Sequence, residues 1–281
     1  MIRIVTDSMS DIRQEEAKRE NVVVLAQPVL FDNETYMDGE TISCEEFYEK
    51  MEKTKDLPKT SQVPPESFAL AFTAAIQAGD EVVCITGSSV LSGTFQGAML
   101  ARSMVDQPEK IHIIDSLNAS LGQQIVIWEA ARLRLMELPI DEILDRIKEL
   151  VPRVAMVGHI GNLKHLVMGG RLSAAKARIG ATLNLKPTLR LVEGALGQES
   201  LTRGTRRANE WVLMQMQAQP RDLDYPVHLA AANAVEDLAV LRGVLDAANM
   251  LGEDVREVEI GPIIGTHTGP GVLAAAWVVA H

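Results

Sequence analysis

Short apolar runs alternate with longer stretches of mixed polarity through the first half of the chain. The runs at residues 2–5, 22–25, 81–85 and 111–114 are rich in Val and Ile, which is typical of β-strands. The stretches at 11–20, 44–53, 65–78, 94–104 and 120–137 have the length and polarity of helices. Helix 44–53 is preceded by Ser43, with Glu46 three residues on, as in a capping box. Such alternation predicts a largely parallel sheet with helices on both faces.

The second half follows a different pattern. A helix at 140–150 and a strand at 154–157 precede a predicted hairpin, whose strands at 188–192 and 199–202 flank the turn Gly194-Ala195-Leu196-Gly197. Further on, the pattern predicts helices at 206–217 and 235–251, strands at 227–231 and 255–260, and a buried element within 272–280. We therefore predict a two-domain α/β protein, with an N-terminal α/β domain at 1–155 and a C-terminal α+β domain at 156–281.

Composition narrows the class of protein. The net charge of −11 disfavours a nucleic-acid-binding protein, since such proteins neutralise phosphates with Lys and Arg. Two cysteines, Cys44 and Cys84, are too few for a disulfide framework and suit a reducing compartment. The chain shows no signal-peptide pattern and no apolar run long enough to span a bilayer. We therefore expect a cytoplasmic protein that does not span a membrane.

The common signatures of nucleotide, dinucleotide and serine-hydrolase sites are absent from the sequence. The His residues are scattered and none has the paired spacing of a zinc site, so we expect no metal.

Small polar residues follow several of the predicted strands. They are Thr6-Asp7-Ser8, the run from Gly87 to Thr94, Asp115-Ser116 and Thr60-Ser61-Gln62. In open α/β sheets ligands bind beyond the carboxyl ends of the strands, and hydroxyls with free helix N–H groups can hold a carboxylate or a phosphate. The same residues also serve as helix caps. The residues alone support an anion site and plain capping about equally.

Two further segments could contribute to a site. The run from Gly261 to Gly271 predicts a constrained loop that presents His267, although a tight turn with a structural His has the same composition. Gly169-Gly170-Arg171 offers a guanidinium after a sharp turn. Arg203, with Arg206 and Arg207, forms a basic cluster that is either a solvated face or a contact for an acidic partner or a phosphate.

Taken together and in order, these segments resemble the DegV family of bacterial lipid-binding proteins. The matching segments are Thr6-Asp7-Ser8, Tyr36-Met37-Asp38-Gly39, Thr60-Ser61-Gln62, the run from Ser88 to Gln96, Ile114-Asp115-Ser116, the stretch from Leu163 to Ser173, Leu185-Lys186-Pro187, and the run from Gly265 to Gly271. They span nearly the whole chain, and their order makes the resemblance specific.

The resemblance implies a long-chain fatty acid bound between the two domains. By position, Thr60 and Ser92 match the hydroxyls that bind the carboxylate, and His267 matches the His near the head group. Gly93 and Ser61 are expected beside them. The resemblance further implies a carrier without catalytic residues or cofactor, which presents the fatty acid to a separate ATP-dependent kinase subunit. Arg171 and Arg203 would then contact the partner or the phosphate.

An enzyme remains the alternative hypothesis. Asp7, Asp115, Ser92 and His267 could in principle serve a phosphotransferase or hydrolase acting on a small anionic substrate.

Overall fold

The computed structural model describes residues 1–54, 56–172 and 184–281, so Ser173 of the predicted Gly169 to Ser173 motif lies outside the described residues. The strands are β1 (Ile2–Asp7), β2 (Val22–Leu25), β3 (Pro28–Phe31), β4 (Glu34–Met37), β5 (Lys59–Thr60), β6 (Glu81–Thr86), β7 (Ile111–Asp115), β8 (Val154–His159), β9 (Leu185–Val192), β10 (Ala195–Arg203), β11 (Val227–Ala231), β12 (Val255–Glu259) and β13 (Leu273–Val278). The helices are α1 (Gln14–Arg19), α2 (Cys44–Lys53), α3 (Pro65–Gln77), α4 (Thr94–Arg102), α5 (Ser120–Leu135), α6 (Ile140–Leu150), α7 (Lys164–Met168), α8 (Gly204–Ala218), α9 (Val235–Ala247) and α10 (Pro262–Thr268).

The first sheet has the order β2-β1-β6-β7, and every neighbouring pair is parallel. The central strands β1 and β6 are almost wholly buried, which accounts for their continuous apolar runs. Parallel strands bring the loops after β1, β6 and β7 to one edge of this sheet. The predicted parallel α/β arrangement is confirmed.

The second sheet has the order β10-β9-β8-β13-β11-β12 and is mixed. Only β11 and β12 pair in parallel among its strands in the described part of the chain. The C-terminal half therefore has the α+β character predicted for it.

Helix α5 lies between the two sheets. It contacts β1 and β6 of the first sheet and β8, β11 and β13 of the second. Its buried Gln123 donates through Nε2 to Thr6 Oγ1 at 3.1 Å and to Asp7 Oδ2 at 3.3 Å, and Gln124 Nε2 donates to the Ser10 carbonyl at 2.9 Å. These amides fasten the helix to the segment that follows β1.

A small antiparallel sheet of order β4-β3-β5 was not predicted. In it Thr60 pairs with Val29 of β3, which fixes the backbone of Thr60.

The predicted boundaries of α1, of the β9–β10 hairpin and of α9 were wrong. Helix α1 begins at Gln14 and not at Asp11, because Asp11 has a left-handed φ of 55° after the turn Ser8–Ser10. The hairpin turn consists of Glu193 and Gly194, both with positive φ, so residues 195–197 belong to β10. Helix α9 ends at Ala247 rather than at residue 251.

None of the helices described in residues 1–54, 56–172 and 184–281 is long and apolar enough to cross a membrane.

Candidate functional site

A cavity of about 440 Å³ lies where the start of α4, helix α10 and the β9–β10 hairpin meet. Its volume falls within the range of roughly 300 to 1,000 Å³ that is usual for small-ligand sites. The cavity is lined by Met9, Gln27, Thr60, Ser61, Gln62, Leu91, Ser92, Gly93, Ala119, Met156, Leu166, Arg171, Leu191, Leu196, Ile263, Ile264, His267 and Thr268. The structure thus brings together every residue that was proposed for fatty-acid binding.

His267 lies in the last turn of a helix and not in a loop, so the loop predicted for the run from Gly261 to Gly271 was wrong. Pro262 occupies the first turn of α10, where its missing N–H has no cost. Gly265 then allows the helix to approach the rings of Phe47 and Tyr48, because a Cβ there would lie 2.7 Å from the Tyr48 hydroxyl. Burial therefore outweighs the weak helix propensity of the glycines.

The side chains of Thr60 and His267 form a hydrogen bond at the polar end of the cavity, with 2.8 Å between Thr60 Oγ1 and His267 Nε2. Burial, assisted by the charges of Arg171 and His165, lowers the pKa of His267 to about 4. The ring is therefore neutral at neutral pH, and its buried Nδ1 has no hydrogen-bond partner among the described residues. Because an unpaired N–H is costlier than an unpaired acceptor, we assign the proton to Nε2. His267 then donates to Thr60, and the Thr60 hydroxyl is free to donate into the cavity.

Ser92 belongs to a second hydrogen-bonded group at the same end. Its Oγ lies 2.9 Å from Thr94 Oγ1 and accepts the Thr94 backbone N–H at 3.2 Å. The amide Nε2 of Gln27 donates to Thr94 Oγ1 at 3.1 Å. Gln27 was not predicted, although it follows strand β2 just as the other polar turns follow their strands.

Gly93 precedes α4, whose N-terminal end carries the partial positive charge of the helix dipole. A side chain at Gly93 would overlap the amide of Gln62, which also lines the cavity. Ser61 lies exposed at the rim, where its backbone N–H donates to the Pro28 carbonyl at 3.1 Å. Backbone N–H groups, hydroxyls and a helix end therefore converge on one region.

Arg171 supplies positive charge at this end. Its Nε donates to the Leu91 carbonyl at 3.1 Å and its Nη1 donates to the Gly169 carbonyl at 2.7 Å. Burial lowers the pKa of this guanidinium from its ordinary value. Arg203, by contrast, lies exposed at the end of β10 and is not among the described residues that line the cavity. The structure therefore does not bring the two arginines together in this cavity.

Asp7 and Asp115, the carboxylates that the enzyme hypothesis requires, form hydrogen bonds to the backbone of loops. Asp7 accepts the backbone N–H of Met9 and of Gly87, each at 3.0 Å, and its burial raises its pKa to about 6. Asp115 accepts the N–H of Ser89 at 3.2 Å and that of Leu117 at 2.9 Å. Neither Asp lines the cavity, so the four residues of that hypothesis are not gathered at one point.

The opposite end of the cavity is apolar. It is formed by residues of β8, the β9–β10 hairpin and α10, among them Met156, Leu191, Leu196 and Ile264. These residues also line a further apolar space of about 70 Å³ that extends toward α5. The sequence carried no signal for these residues, because they look like ordinary core positions until the hairpin is folded over the cavity. The site is therefore amphipathic, with hydrogen-bond donors at one end and aliphatic side chains at the other.

A second cavity, of about 700 Å³, shares Thr60, Arg171 and His267 with the first. It is also lined by the exposed Asp56, Lys59 and Met168. The polar end of the first cavity therefore borders a groove at the surface.

Within the described residues, no group of three or more His, Cys, Asp or Glu side chains could hold a metal ion.

Comparison with known proteins agrees with this architecture. A family model described as "Uncharacterised protein, DegV family" matches residues 1–280. A DegV domain-containing protein of Caldanaerobacter subterraneus subsp. tengcongensis is 33% identical over 270 residues, which cover 96% of this chain and 95% of that protein.

Solved structures give the same result. A fatty-acid-binding DegV family protein from Thermus thermophilus superimposes with a TM-score of 0.90 at 30% identity, covering 99% of each chain. A stearic-acid-binding protein from Eubacterium ventriosum has a TM-score of 0.90 at 25% identity, covering 99% of this chain and 98% of that one. DegV of Bacillus subtilis, a fatty-acid-binding protein, has a TM-score of 0.85 at 27% identity, covering 99% of each chain. The chain therefore belongs to the DegV family.

Proposed function

We propose that this protein binds one long-chain fatty acid in the amphipathic cavity. The single observation that carries the proposal is the polarity of that cavity, which has converging donors at one end and aliphatic side chains at the other. A fatty acid has the same polarity along its length. The proposal is supported by the solved structures that resemble this protein, which are those of fatty-acid-binding proteins.

The carboxylate is assigned to the polar end. A buried carboxylate requires several donors, because an unpaired charge in an apolar site is very costly. The hydroxyls of Thr60 and Ser92 supply two of them, the N-terminal end of α4 after Gly93 supplies backbone N–H groups, and Arg171 supplies charge. His267 contributes by orienting the Thr60 hydroxyl, and Ser61 lies at the rim of the cavity.

The acyl tail is assigned to the aliphatic end. Burying about 16 to 18 carbons at roughly 0.8 kcal/mol per CH₂ gives on the order of 10 kcal/mol before entropy costs, which is enough for tight retention. Retention by burial requires no chemical step, so the proposed role is that of a carrier and not of an enzyme.

We further propose that the carrier presents the carboxylate to a separate ATP-dependent kinase in the bacterial cytoplasm. The groove that shares Thr60, Arg171 and His267 with the cavity supports this, because a partner seated there would reach the head group. We assign Arg171 to contact with the transferred phosphate and Arg203 to the partner surface. The free thiols of Cys44 and Cys84 suit a reducing compartment. We place the division between the two domains at residues 155 and 156, where β8 of the second sheet has begun.

Native mass spectrometry of protein purified from a bacterial host tests the binding proposal. We expect one long-chain fatty acid per chain. The Thr60→Ala, Ser92→Ala double variant should weaken binding at least about 100-fold, since each of the two hydrogen bonds to a charged group contributes roughly 1.5 to 3 kcal/mol. The matched control is Ser89→Ala, which removes a hydroxyl from the same loop but away from the cavity lining.

Folded, lipid-free protein that also fails to bind added fatty acid would refute the proposal. Acyl phosphate formed from ATP by the purified chain alone would refute the carrier role and favour the phosphotransferase alternative.

A further inference from the structure

A chain of hydrogen bonds leads from the loop after β2 to the polar end of the cavity. Gln27 Nε2 donates to Thr94 Oγ1 at 3.1 Å, and Thr94 Oγ1 lies 2.9 Å from Ser92 Oγ. Gln27 and Thr94 are both buried, with relative exposures of 1% and 0%. Both side chains are therefore shielded from bulk water.

The donors and acceptors give the chain a direction. Thr94 Oγ1 accepts from Gln27. The contact between Thr94 Oγ1 and Ser92 Oγ permits either hydroxyl as the donor. We assign the hydrogen to Thr94, because Ser92 Oγ is the acceptor that the described residues offer to the buried Thr94 hydroxyl. Ser92 Oγ also accepts the Thr94 backbone N–H at 3.2 Å. A hydroxyl oxygen has two acceptor lone pairs and one hydrogen. Both lone pairs of Ser92 are thus engaged, and its hydrogen is left to point into the cavity.

The opposite orientation of the Gln27 amide is less favourable. Reversing the amide would make Thr94 donate to Gln27 Oε1, and the Ser92 hydrogen would then be drawn to Thr94. It would also move the amide N–H groups to the buried position of Oε1, where no described residue offers a hydrogen-bond partner. Unpaired N–H donors are costlier than an unpaired acceptor, which favours the orientation with Nε2 on Thr94.

The backbone of Gln27 is itself fixed from both sides. Its N–H donates to Ser8 Oγ at 3.0 Å, and its carbonyl accepts the Asp38 N–H at 3.1 Å. The residue at the start of the hydrogen-bond chain is therefore held by the loop after β1 and by the residue that follows β4.

We propose that Gln27 and Thr94 are positioning residues that aim the Ser92 hydroxyl hydrogen at the carboxylate of the bound fatty acid. The inference rests on the proposed function. A hydroxyl that is already oriented and polarised loses no freedom when it meets an anion. Gln27 and Thr94 thus favour a carboxylate over a neutral head group through the Ser92 hydroxyl, and Thr94 is not among the described residues that line the cavity.

The test compares the affinity of the chain for stearic acid and for the primary alcohol of the same length. Thr94→Val keeps the shape and removes the relay hydroxyl, whereas Thr94→Ser keeps the hydroxyl. Thr94→Val should weaken acid binding about tenfold and alcohol binding much less, because charge-assisted hydrogen bonds are roughly twice as strong as neutral ones. Thr94→Ser should bind both ligands like the parent. Gln27→Met is a second variant, which interrupts the chain of hydrogen bonds while leaving Thr94 intact.

A double-mutant cycle separates positioning from a general effect on structure. In a Ser92→Ala background, Thr94→Val should cause no additional loss, because the relay has no hydroxyl left to aim. Equal losses for acid and alcohol, additive losses in the cycle, or unchanged acid binding in both Thr94→Val and Gln27→Met would overturn the inference. Failure of the parent protein to bind stearic acid would instead refute the proposed function itself.

Discussion

His267 contributes to the candidate site as a neutral hydrogen-bond donor. Burial lowers its pKa to about 4, and the nearby Arg171 charge acts in the same direction. The positive charge at the polar end of the cavity therefore comes from Arg171 and from the end of α4, while His267 orients Thr60. A charged His at this position would repel Arg171 and would not serve the same arrangement.

Substitution of His267 distinguishes a role as a neutral hydrogen-bond donor from a role as a positive charge. His267→Gln retains a neutral N–H donor and should keep fatty-acid affinity within about threefold, whereas His267→Leu should lower it about tenfold through loss of the bond to Thr60. The dissociation constants of both variants at neutral pH give the comparison. If the glutamine variant loses as much affinity as the leucine variant, His267 acts through its charge and the tautomer assignment is wrong.

Helix α10 holds His267 in place through its close packing on α2. Gly265 faces Phe47 and the Tyr48 hydroxyl, and that hydroxyl donates to the Ile260 carbonyl at 2.8 Å. These contacts join an N-terminal helix to the segment that carries His267. The position of the His267 ring thus depends on the absence of a side chain at Gly265.

Two glycine substitutions in helices should have opposite effects. Gly265→Ala places a Cβ 2.7 Å from the Tyr48 hydroxyl and 2.8 Å from Phe47, so we expect a loss of about 1 to 3 kcal/mol in the free energy of unfolding. Gly243→Ala lies at an exposed position of α9, and apart from the adjoining helix backbone no atom of the described residues lies within 4 Å of the new Cβ, so it should gain roughly 0.5 to 1 kcal/mol. Urea unfolding of both variants provides the measurement. A Gly265→Ala protein as stable as the parent would show that α10 does not require this approach.

The elements that were predicted correctly are those whose signals are local. The capping box of Ser43 and Glu46 fixed the start of α2 from adjacent residues, and both of its hydrogen bonds are present. Helix α10 was missed because its glycines and prolines favour a loop, and only distant packing against Tyr48 makes the helix stable. Strands β3 to β5 are short and gain stability by pairing with one another, which no periodicity reveals.

The same distinction applies to the candidate site. The polar residues Thr60 and Ser92 could be proposed from turn chemistry and from the resemblance, since each lies in a compact run of hydroxyls. The apolar lining residues Leu191 and Leu196 could not, because a hairpin more than 90 residues downstream of Ser92 folds over the cavity. That hairpin is held by the Ser88 hydroxyl, which donates to the Gly194 carbonyl at 2.8 Å. Long-range contacts of this kind leave no mark on the local pattern.

At the scale of the whole molecule, Asp11 joins the two halves. It follows β1, accepts a hydrogen bond from the Ser120 hydroxyl at the start of α5, and accepts the Gly261 N–H at 3.0 Å just before α10. Burial, with the nearby carboxyls of Asp38 and Asp7, raises the pKa of Asp11 to about 8. The same cause raises the pKa of Asp38 to about 7. The junction between the halves is therefore built around carboxyls that are easier to bury when protonated.

This junction should make the protein less stable as the pH rises toward 8. In the unfolded chain Asp11 titrates near 3.8, so between there and about 8 the folded state binds the extra proton. Stability then declines as the pH rises through this window, since the slope follows the protons bound by the unfolded state minus those bound by the folded state. His267 has the opposite effect on stability, but only below about pH 6.5, the ordinary pKa of a His side chain. The urea concentration at half-unfolding should therefore decrease as the pH is raised from about 6.5 to about 9.

Two variants test whether Asp11 causes this decline. Asp11→Asn, which mimics the protonated carboxyl, should flatten the decline, whereas Asp246→Asn on the exposed face of α9 should leave it unchanged. An Asp11→Asn protein with the slope of the parent would show that the decline arises elsewhere in the molecule.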